Sequence, residues 1–408
     1  MRLTRRNLLA AAGTAPLSGL ARTARAQPPR ALPDKDSFAL SDVVYLDSGS
    51  QHPISLAAKT EIDAYFAKRM LDPAAAEYEL DERGPIEKFA RLVNADPAEI
   101  AYVQSTTAGE HIVVKSLGLP ESGGRIVVDT LHFFGSLPLY EEMARRGATV
   151  AWVRAREGRI PLEDIRKAIT PDTRLVSLSL VSTINGFEHD LKAVCDIAHE
   201  HGAYVYADIV HAAGCIPVDL RASGVDFAAC ATYKWLMGEF GLGFLYARKD
   251  VQPALKRVNS GYYGLGAFQS HIYPLDPPGE RIVEYAFRDD ATGLFAIGTR
   301  AHAVIAALNK SLDYILALEP TTIQAYVQPM IDRLKEELPR RGYDLMTPRE
   351  SRTPLVAFAL ADARGTLGPS LKQARTSVTL SRNRFRISPS VFNDMDDIEH
   401  LLAALPRP

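Results

Sequence analysis

Residues Tyr204–Arg248 read YVYADIVHAAGCIPVDLRASGVDFAACATYKWLMGEFGLGFLYAR. A hydrophobic run ends in Asp208, a second (Val225–Ala231) leads into Thr232-Tyr233-Lys234, and a third (Gly241–Tyr246) follows at once. Lys234 lies among Trp235, Leu236 and Met237, where an ammonium is poorly solvated. Desolvation lowers a lysine pKa, and the resulting free amine can attack an aldehyde to form a Schiff base. Asp208 is a carboxylate at the carboxyl end of a buried strand, the edge on which α/β sheets place ligand-contacting groups. Pyridoxal phosphate needs both: a lysine to hold its aldehyde and an acid to keep its pyridine nitrogen protonated as an electron sink. Taken singly, the two residues read better as a helix-surface lysine and a strand-end aspartate. Together they point to the cofactor.

From Arg125 onward, short apolar runs alternate with amphipathic stretches. The expected strands are Arg125–Asp129, Thr149–Arg154, Leu175–Val181, Tyr204–Asp208, Asp226–Ala231 and Gly241–Ala247. Leu137–Arg146 and Leu191–Glu200 read as helices, the latter with Leu191, Val194, Cys195 and Ala198 on one face. The strand runs are continuously apolar rather than alternating, which predicts an α/β fold with a mainly parallel sheet covered on both sides. Residues 258–288, rich in Gly, Tyr and Pro, are expected to be irregular. A long helix is expected from near Gly298, followed by a helix at Ile323–Arg341 and strands at Thr353–Phe358 and Thr379–Ser388.

The chain of 408 residues carries a formal net charge of −2 with both signs interspersed, which gives no reason to invoke nucleic acid or an anionic membrane. Its three cysteines, Cys195, Cys215 and Cys230, sit in apolar stretches and read as small buried hydrophobes. No Cys/His spacing points to a metal, and His199-Glu200-His201 lacks the four-residue spacing of a helical zinc site. At the start, Arg5-Arg6 precedes a moderately apolar run ending near Leu20, and Ala24-Arg25-Ala26 offers a cleavage site before Gln27. The run is too short and too interrupted to span a bilayer. The expectation is a twin-arginine leader handled by the Tat export machinery, with no membrane anchor after processing and a periplasmic or secreted mature protein.

Asp208, His211, Gly224-Val225-Asp226-Phe227, Lys234, Trp235 and Gly241-Leu242-Gly243 together resemble the class V aminotransferase family, the branch of fold-type I enzymes that includes cysteine desulfurases, kynureninases and isopenicillin N epimerase-like proteins. The resemblance runs from about Tyr45 (YLDSGS) to about Leu402. It implies a large cofactor domain with a mainly parallel seven-stranded sheet and a smaller α+β C-terminal domain. The implied division is 1–26 leader, 27–60 N-terminal arm, 61–297 large domain and 298–408 small domain.

Val103-Gln104-Ser105-Thr106-Thr107-Ala108-Gly109-Glu110 is a strand end running into a helix, with capping-box spacing between Thr107 and Glu110. A helix start favours a phosphate, and the resemblance implies that Thr106 and Thr107 cradle the cofactor phosphate, with Gly109 needed for close backbone approach. It further implies that His132 stacks over the pyridine, with Phe133 as the alternative if the turn differs by one residue. His211 matches a polar residue near the cofactor's phenolic oxygen, and Thr183 matches another that is often asparagine. Tyr233 resembles a phosphate ligand. Gly298-Thr299 matches a turn that reaches the phosphate of a neighbouring subunit, which implies a homodimer with shared active sites. Arg386, in Phe385-Arg386-Ile387-Ser388, resembles the arginine that grips the substrate carboxylate bidentately. Arg382 and Arg384 are expected on a solvated face.

The expected activity is therefore chemistry at Cα of an amino acid, with Lys234, Asp208, His132 and Arg386 as the catalytic set. Transamination is the first reading, and a lyase (C–S or kynureninase-like) or an epimerase is the alternative. A protein-persulfide mechanism is disfavoured because no cysteine follows Cys230. A reading of another class is an exported protein that binds the cofactor without turnover.

Overall fold

The computed structural model describes residues 31–40 and 42–407. The expected leader, with Arg5-Arg6, lies outside them.

The centre is a seven-stranded sheet made of β1 (Ile100–Val103), β2 (Arg125–Asp129), β3 (Thr149–Val153), β4 (Thr173–Ser179), β5 (Tyr204–Asp208), β6 (Phe227–Ala231) and β7 (Gly243–Ala247), in the order β1-β7-β6-β5-β4-β2-β3. All neighbours from β3 to β6 pair in parallel, whereas β7 runs antiparallel to both β6 and β1. The continuous apolar runs have a plain cause: alternate side chains feed two separate cores. Val127, Val176, Val205 and Ala207 enter one, packed with Val194, Cys195, Ile197 and Ala198 of helix Leu191–His199. Ile126, Val128, Leu175, Tyr206 and Ala229 enter the other, packed with Val113 and Val114 of helix Thr106–Ser116 and with Tyr140 and Met143 of helix Leu137–Arg145. A strand buried on both faces has no polar side to show.

Asp226, the buried acid of the Gly-Val-Asp-Phe stretch, accepts a hydrogen bond from the Val205 backbone at 2.7 Å and faces His199 Nε2 at 2.9 Å. It thus registers the start of β5 against the strand that leads to Lys234.

A second, four-stranded antiparallel sheet joins Asp344–Leu345, Val356–Ala359, Arg384–Ile387 and Thr379–Leu380, in that order. Helix His302–Leu318 leads through helix Pro320–Arg340 into this sheet, which has its own core including Leu334, Leu338, Phe358 and Phe385.

Three expectations are corrected. Residues 258–288 are not wholly irregular: Leu265–Ser270 and Val283–Phe287 pair as an antiparallel hairpin whose side chains are mostly exposed, so no buried alternation marks them in sequence. The stretch Thr379–Ser388 is two strands folded back on each other rather than one. The helix that starts at Thr106 is capped by Ser105, whose hydroxyl accepts from Ala108 N at 3.1 Å, and not by a Thr107–Glu110 box.

Phe244 on β7 is fully buried and stacks on Phe89 at 4.2 Å between ring centroids, with Tyr102 at 5.4 Å. Phe244→Ala removes the middle ring of this stack. It should lower unfolding free energy by about 3–5 kcal/mol, read as a drop in the urea midpoint at unchanged slope.

Candidate active site

The parallel strands β4, β5 and β6 end side by side, in Ser179, Asp208 and the turn after Ala231. Lys234 sits on that turn. It is closed by Met237 N to Lys234 O at 2.8 Å and Gly238 N to Thr232 O at 2.9 Å, with Met237 in the left-handed region at φ 55°. The side chain is 7% exposed, and Nζ lies 3.1 Å from His211 Nε2, 5.9 Å from the centre of the Phe133 ring and 5.7 Å from that of Tyr233. Burial lowers the Lys234 pKa to about 8, with Asp208 opposing the shift and Arg386 adding to it. Asp208 is buried and accepts from Val210 N at 2.9 Å through Oδ1. Its other oxygen has no hydrogen bond among the described residues. Burial raises the Asp208 pKa, opposed by that backbone donor and by the charges of His132 and Lys234. A buried carboxylate of this kind is short of a cationic N–H partner.

His132 does not face this space. Its ring is fully buried, with Nδ1 2.8 Å from Ser179 Oγ and Nε2 2.9 Å from Glu110 Oε1, so both polar edges are occupied inside the protein. Glu110 also accepts from Ser136, Tyr140 (2.6 Å) and Ser177 (3.2 Å). The expectation of a His132 ring over the cofactor is corrected: the aromatic rings beside Lys234 are those of Tyr233 and of Phe133, the latter with its backbone N–H held by Ser179 Oγ at 3.1 Å. Burial works against charge on Glu110, but His132, Ser136 and Tyr140 more than offset it and hold its carboxyl below the usual range. Burial likewise opposes charge on His132, and Glu110 overrides it to raise the ring's pKa.

At the start of helix Thr106–Ser116 the first free N–H groups, on Thr106 and Thr107, form an anion-binding end. Thr106 Oγ1 accepts from Ala231 N at 2.9 Å, which ties this end to the lysine turn. Gly109 serves packing: a Cβ there would stand 3.0 Å from Ala229 Cβ on β6. Tyr233 stacks on Phe240 at 4.2 Å. Thr299 lies along a cavity of about 230 Å³ lined also by Gln104, Ala108 and Gly241.

Arg386 is 3% exposed. Nη1 donates to Thr183 Oγ1 at 2.6 Å, Nη2 to Ser50 Oγ and Thr379 Oγ1 at 2.9 Å each, and Asp47 lies 3.5 Å away. Nε is buried with no partner among the described residues. Burial lowers its pKa to about 10, opposed chiefly by Asp47. Arg384 is not on a solvated face as expected. It is half-buried and its Nη1 donates to the carbonyls of Thr183 and Ile184. The structure thus brings Lys234, Asp208, His211, Tyr233, Thr106, Thr183 and Arg386 to one region and leaves His132 behind it. Sequence reasoning missed Asp47, Ser50 and Thr379 around Arg386, and the Glu110 cluster around His132. Only the Tyr45–Ser50 stretch had drawn attention.

The Glu110 carboxyl has a depressed folded-state pKa, so its contribution is complete above the unfolded value and is lost as pH falls through the folded one. Glu110→Gln should cost about 3–5 kcal/mol near pH 7, because His132 loses its buried partner. The gap to the parent should narrow as pH drops below the carboxylate range, measured by urea unfolding at several pH values.

The family model described as "Aminotransferase class-V" matches residues 83–367. The chain is 27% identical over 316 residues to an uncharacterized aminotransferase of Bacillus subtilis, covering 77% of this chain and 80% of that one. It is 27% identical to a kynureninase of Pseudomonas fluorescens (78% and 77% covered) and 26% identical to a cysteine desulfurase of Klebsiella pneumoniae (90% and 93% covered). Among solved structures, a lysine-to-alanine mutant of C-DES with glycine covalently linked to its PLP cofactor superposes with a TM-score of 0.81 at 20% identity, covering 91% of this chain and 98% of that one. The residues present fit such a cofactor: a buried lysine with a lowered pKa, an aspartate with an unpaired oxygen, a helix start tied to the lysine turn, and a guanidinium with a buried free N–H. The chain belongs to the class V aminotransferase family, with the type I fold, and its cofactor is pyridoxal 5′-phosphate.

Proposed function

We propose that this protein acts at Cα of an amino acid and that transfer of the amino group is its reaction. One observation carries the reading. A buried amine with a pKa of about 8 shares its site with a buried guanidinium whose Nε has no partner. When bound, pyridoxal phosphate supplies the electron sink that makes a Cα–H bond acidic. Lys234 would hold it covalently and, once displaced by the substrate amine, would accept and return the Cα proton, for which a base titrating near neutrality is suited. Asp208 would pair with the ring nitrogen, Phe133 would cover the ring, and Thr106, Thr107 and Tyr233 would take the phosphate. His211 and Thr183 would meet the phenolic oxygen. Arg386 would orient the substrate carboxylate.

A lyase is the second reading, favoured by relatives named kynureninase and cysteine desulfurase. All three cysteines are buried, so a C–S lyase built on this chain would have to work without a persulfide on its own thiol. Incubation with a panel of amino acids distinguishes the two. Accumulation of the pyridoxamine form supports transamination, and ammonia with a keto acid and no pyridoxamine form supports elimination. Loss of optical activity alone indicates an epimerase, and an unchanged panel a binding protein. For Lys234→Ala the expected outcome is a folded protein with no borohydride-stable pyridoxyl label. Arg386→Ala should raise KM by roughly ten- to a hundredfold, from loss of a charge-assisted contact of about 1.5–3 kcal/mol, with little rescue by Arg386→Lys.

We also read the working form as a homodimer. The hairpin and its connecting loop expose Phe268, Ile272, Tyr273, Leu275, Ile282 and Tyr285, a concentration of apolar side chains suited to a protein interface. Thr299, which lines a cavity with Gln104 and Ala108, would serve the partner's phosphate. Sedimentation should give a dimer for the parent chain and a monomer for Tyr273→Asp/Leu275→Asp. Export through the twin-arginine route remains the reading of the leader.

A further inference from the structure

The pair of contacts on His211 has a consequence for where its proton lies. Trp235 Nε1 is 3.4 Å from His211 Nδ1, and Lys234 Nζ is 3.1 Å from His211 Nε2. An indole N–H can only donate, so Nδ1 must be the accepting nitrogen, and a neutral imidazole then carries its proton on Nε2. That N–H points at Lys234. An ammonium has three donors and no acceptor, whereas a free amine has a lone pair. The three side chains are mutually satisfied only when Lys234 is unprotonated. A protonated Lys234 would need Nε2 as its acceptor, which moves the ring proton to Nδ1 and sets it against the indole N–H.

We propose that the Trp235 indole N–H favours the Nε2–H tautomer of His211 and thereby favours the free amine of Lys234 over its ammonium. Trp235 is a positioning residue in this scheme, acting on the reacting nitrogen through His211. Its own placement is firm. The side chain is 1% exposed, the His52 ring lies 6.5 Å away on edge, and Gly214, at φ 97°, lets the Trp235 carbonyl pass where a Cβ would stand 2.4 Å from it.

The other groups facing Lys234 do not supply this control. Burial, the largest influence, disfavours the ammonium but acts on no particular proton of His211; by charge, Asp208 on β5 and Asp47 favour the ammonium and Arg386 opposes it. His211 itself is kept neutral chiefly by burial, with the guanidinium charges of Arg386 and Arg384 acting the same way. Trp235, which has no charge, therefore decides which ring nitrogen the neutral His211 offers to the lysine.

The test uses the full-length chain freed of cofactor. The ¹⁵N shifts of the His211 ring report the tautomer directly, and trace acetic anhydride labelling of Lys234 against pH, read by peptide mass, reports the midpoint at which the amine becomes reactive. The parent should show a midpoint near 8 and, at pH values above it, where the tautomer is read, the Nε2–H form. Trp235→Phe frees Nδ1 to take the proton, so Nε2 can accept from the ammonium and the midpoint should rise by about one pH unit. His211→Gln should raise it too, because the amide can turn its oxygen to the lysine. Trp235→Phe added to His211→Gln should then shift it no further. An Nδ1–H tautomer in the parent overturns the proposal even if no variant folds. So does an unmoved midpoint in Trp235→Phe, or an equal shift when His211 is absent.

Discussion

Burying the nitrogen of Lys234 is the constraint on which the rest of the site depends. An ammonium 7% exposed loses most of its hydration, and the carboxylate beside it, Asp208, is itself desolvated. At an effective dielectric of about 20, a carboxylate even as near as 4 Å would return only about 4 kcal/mol, and among the described residues Lys234 has no carboxylate that close, so dehydration of the ion is not fully offset. The proton is therefore held loosely, which is what a lysine must manage if it is to bond an aldehyde and later take a proton from carbon. The turn Thr232–Gly238, the Thr106 bridge to Ala231 and the Phe133 and Tyr233 rings keep that nitrogen in one dry place.

Two buried carboxylates, 98 residues apart in sequence from Glu110 to Asp208, meet the same desolvation in opposite ways. Glu110 gathers donors from His132, Ser136, Tyr140 and Ser177, and stays ionised. Asp208 receives one backbone N–H and is left short, so its pKa rises. The first is a finished structural cluster that locks the His132–Phe133 turn through Ser179. The second is an unfinished one that a cationic ring nitrogen would complete. Environments that separate two like groups in this way divide structural from chemical roles without any difference in side-chain type.

That contrast also explains what could be read from the amino acids alone. The strands Arg125–Asp129 and Tyr204–Asp208 were visible because burial on both faces writes itself as an unbroken apolar run. Lys234 and Asp208 were visible because each stands at the end of such a run, within one short stretch. His132 was misplaced because a one-residue change in a turn exchanges it with Phe133, and nothing local says which faces in. The partners of Arg386 were invisible for a stronger reason: Ser50 and Asp47 lie more than three hundred residues upstream, and no spacing relates them. The Leu265–Phe287 hairpin escaped because its strands bury neither face within the chain.

The contacts of Arg386 bear on how a substrate is met. Lys234 belongs to the large sheet and Arg386 to the small one, so their separation is set by whatever joins the two. The arginines are part of that joint, beside the hydrogen bonds of Ser351 and Thr353 to the Gly186 carbonyl. Arg386 reaches Thr183 across the boundary, and Arg384 holds the carbonyls of Thr183 and Ile184 beside it. Ser50, Thr379 and Asp47 hold the far side of the guanidinium. A side chain already fixed on both sides has little rotamer freedom left to lose when a carboxylate arrives. Asp47 at 3.5 Å keeps the buried charge from standing alone, yet the Asp47 carboxylate is also engaged by Thr379 and leaves Nε free. The guanidinium is thus neutralised enough to stay buried and unpaired enough to bind, and the same hydrogen bonds that position it fix its distance from the lysine.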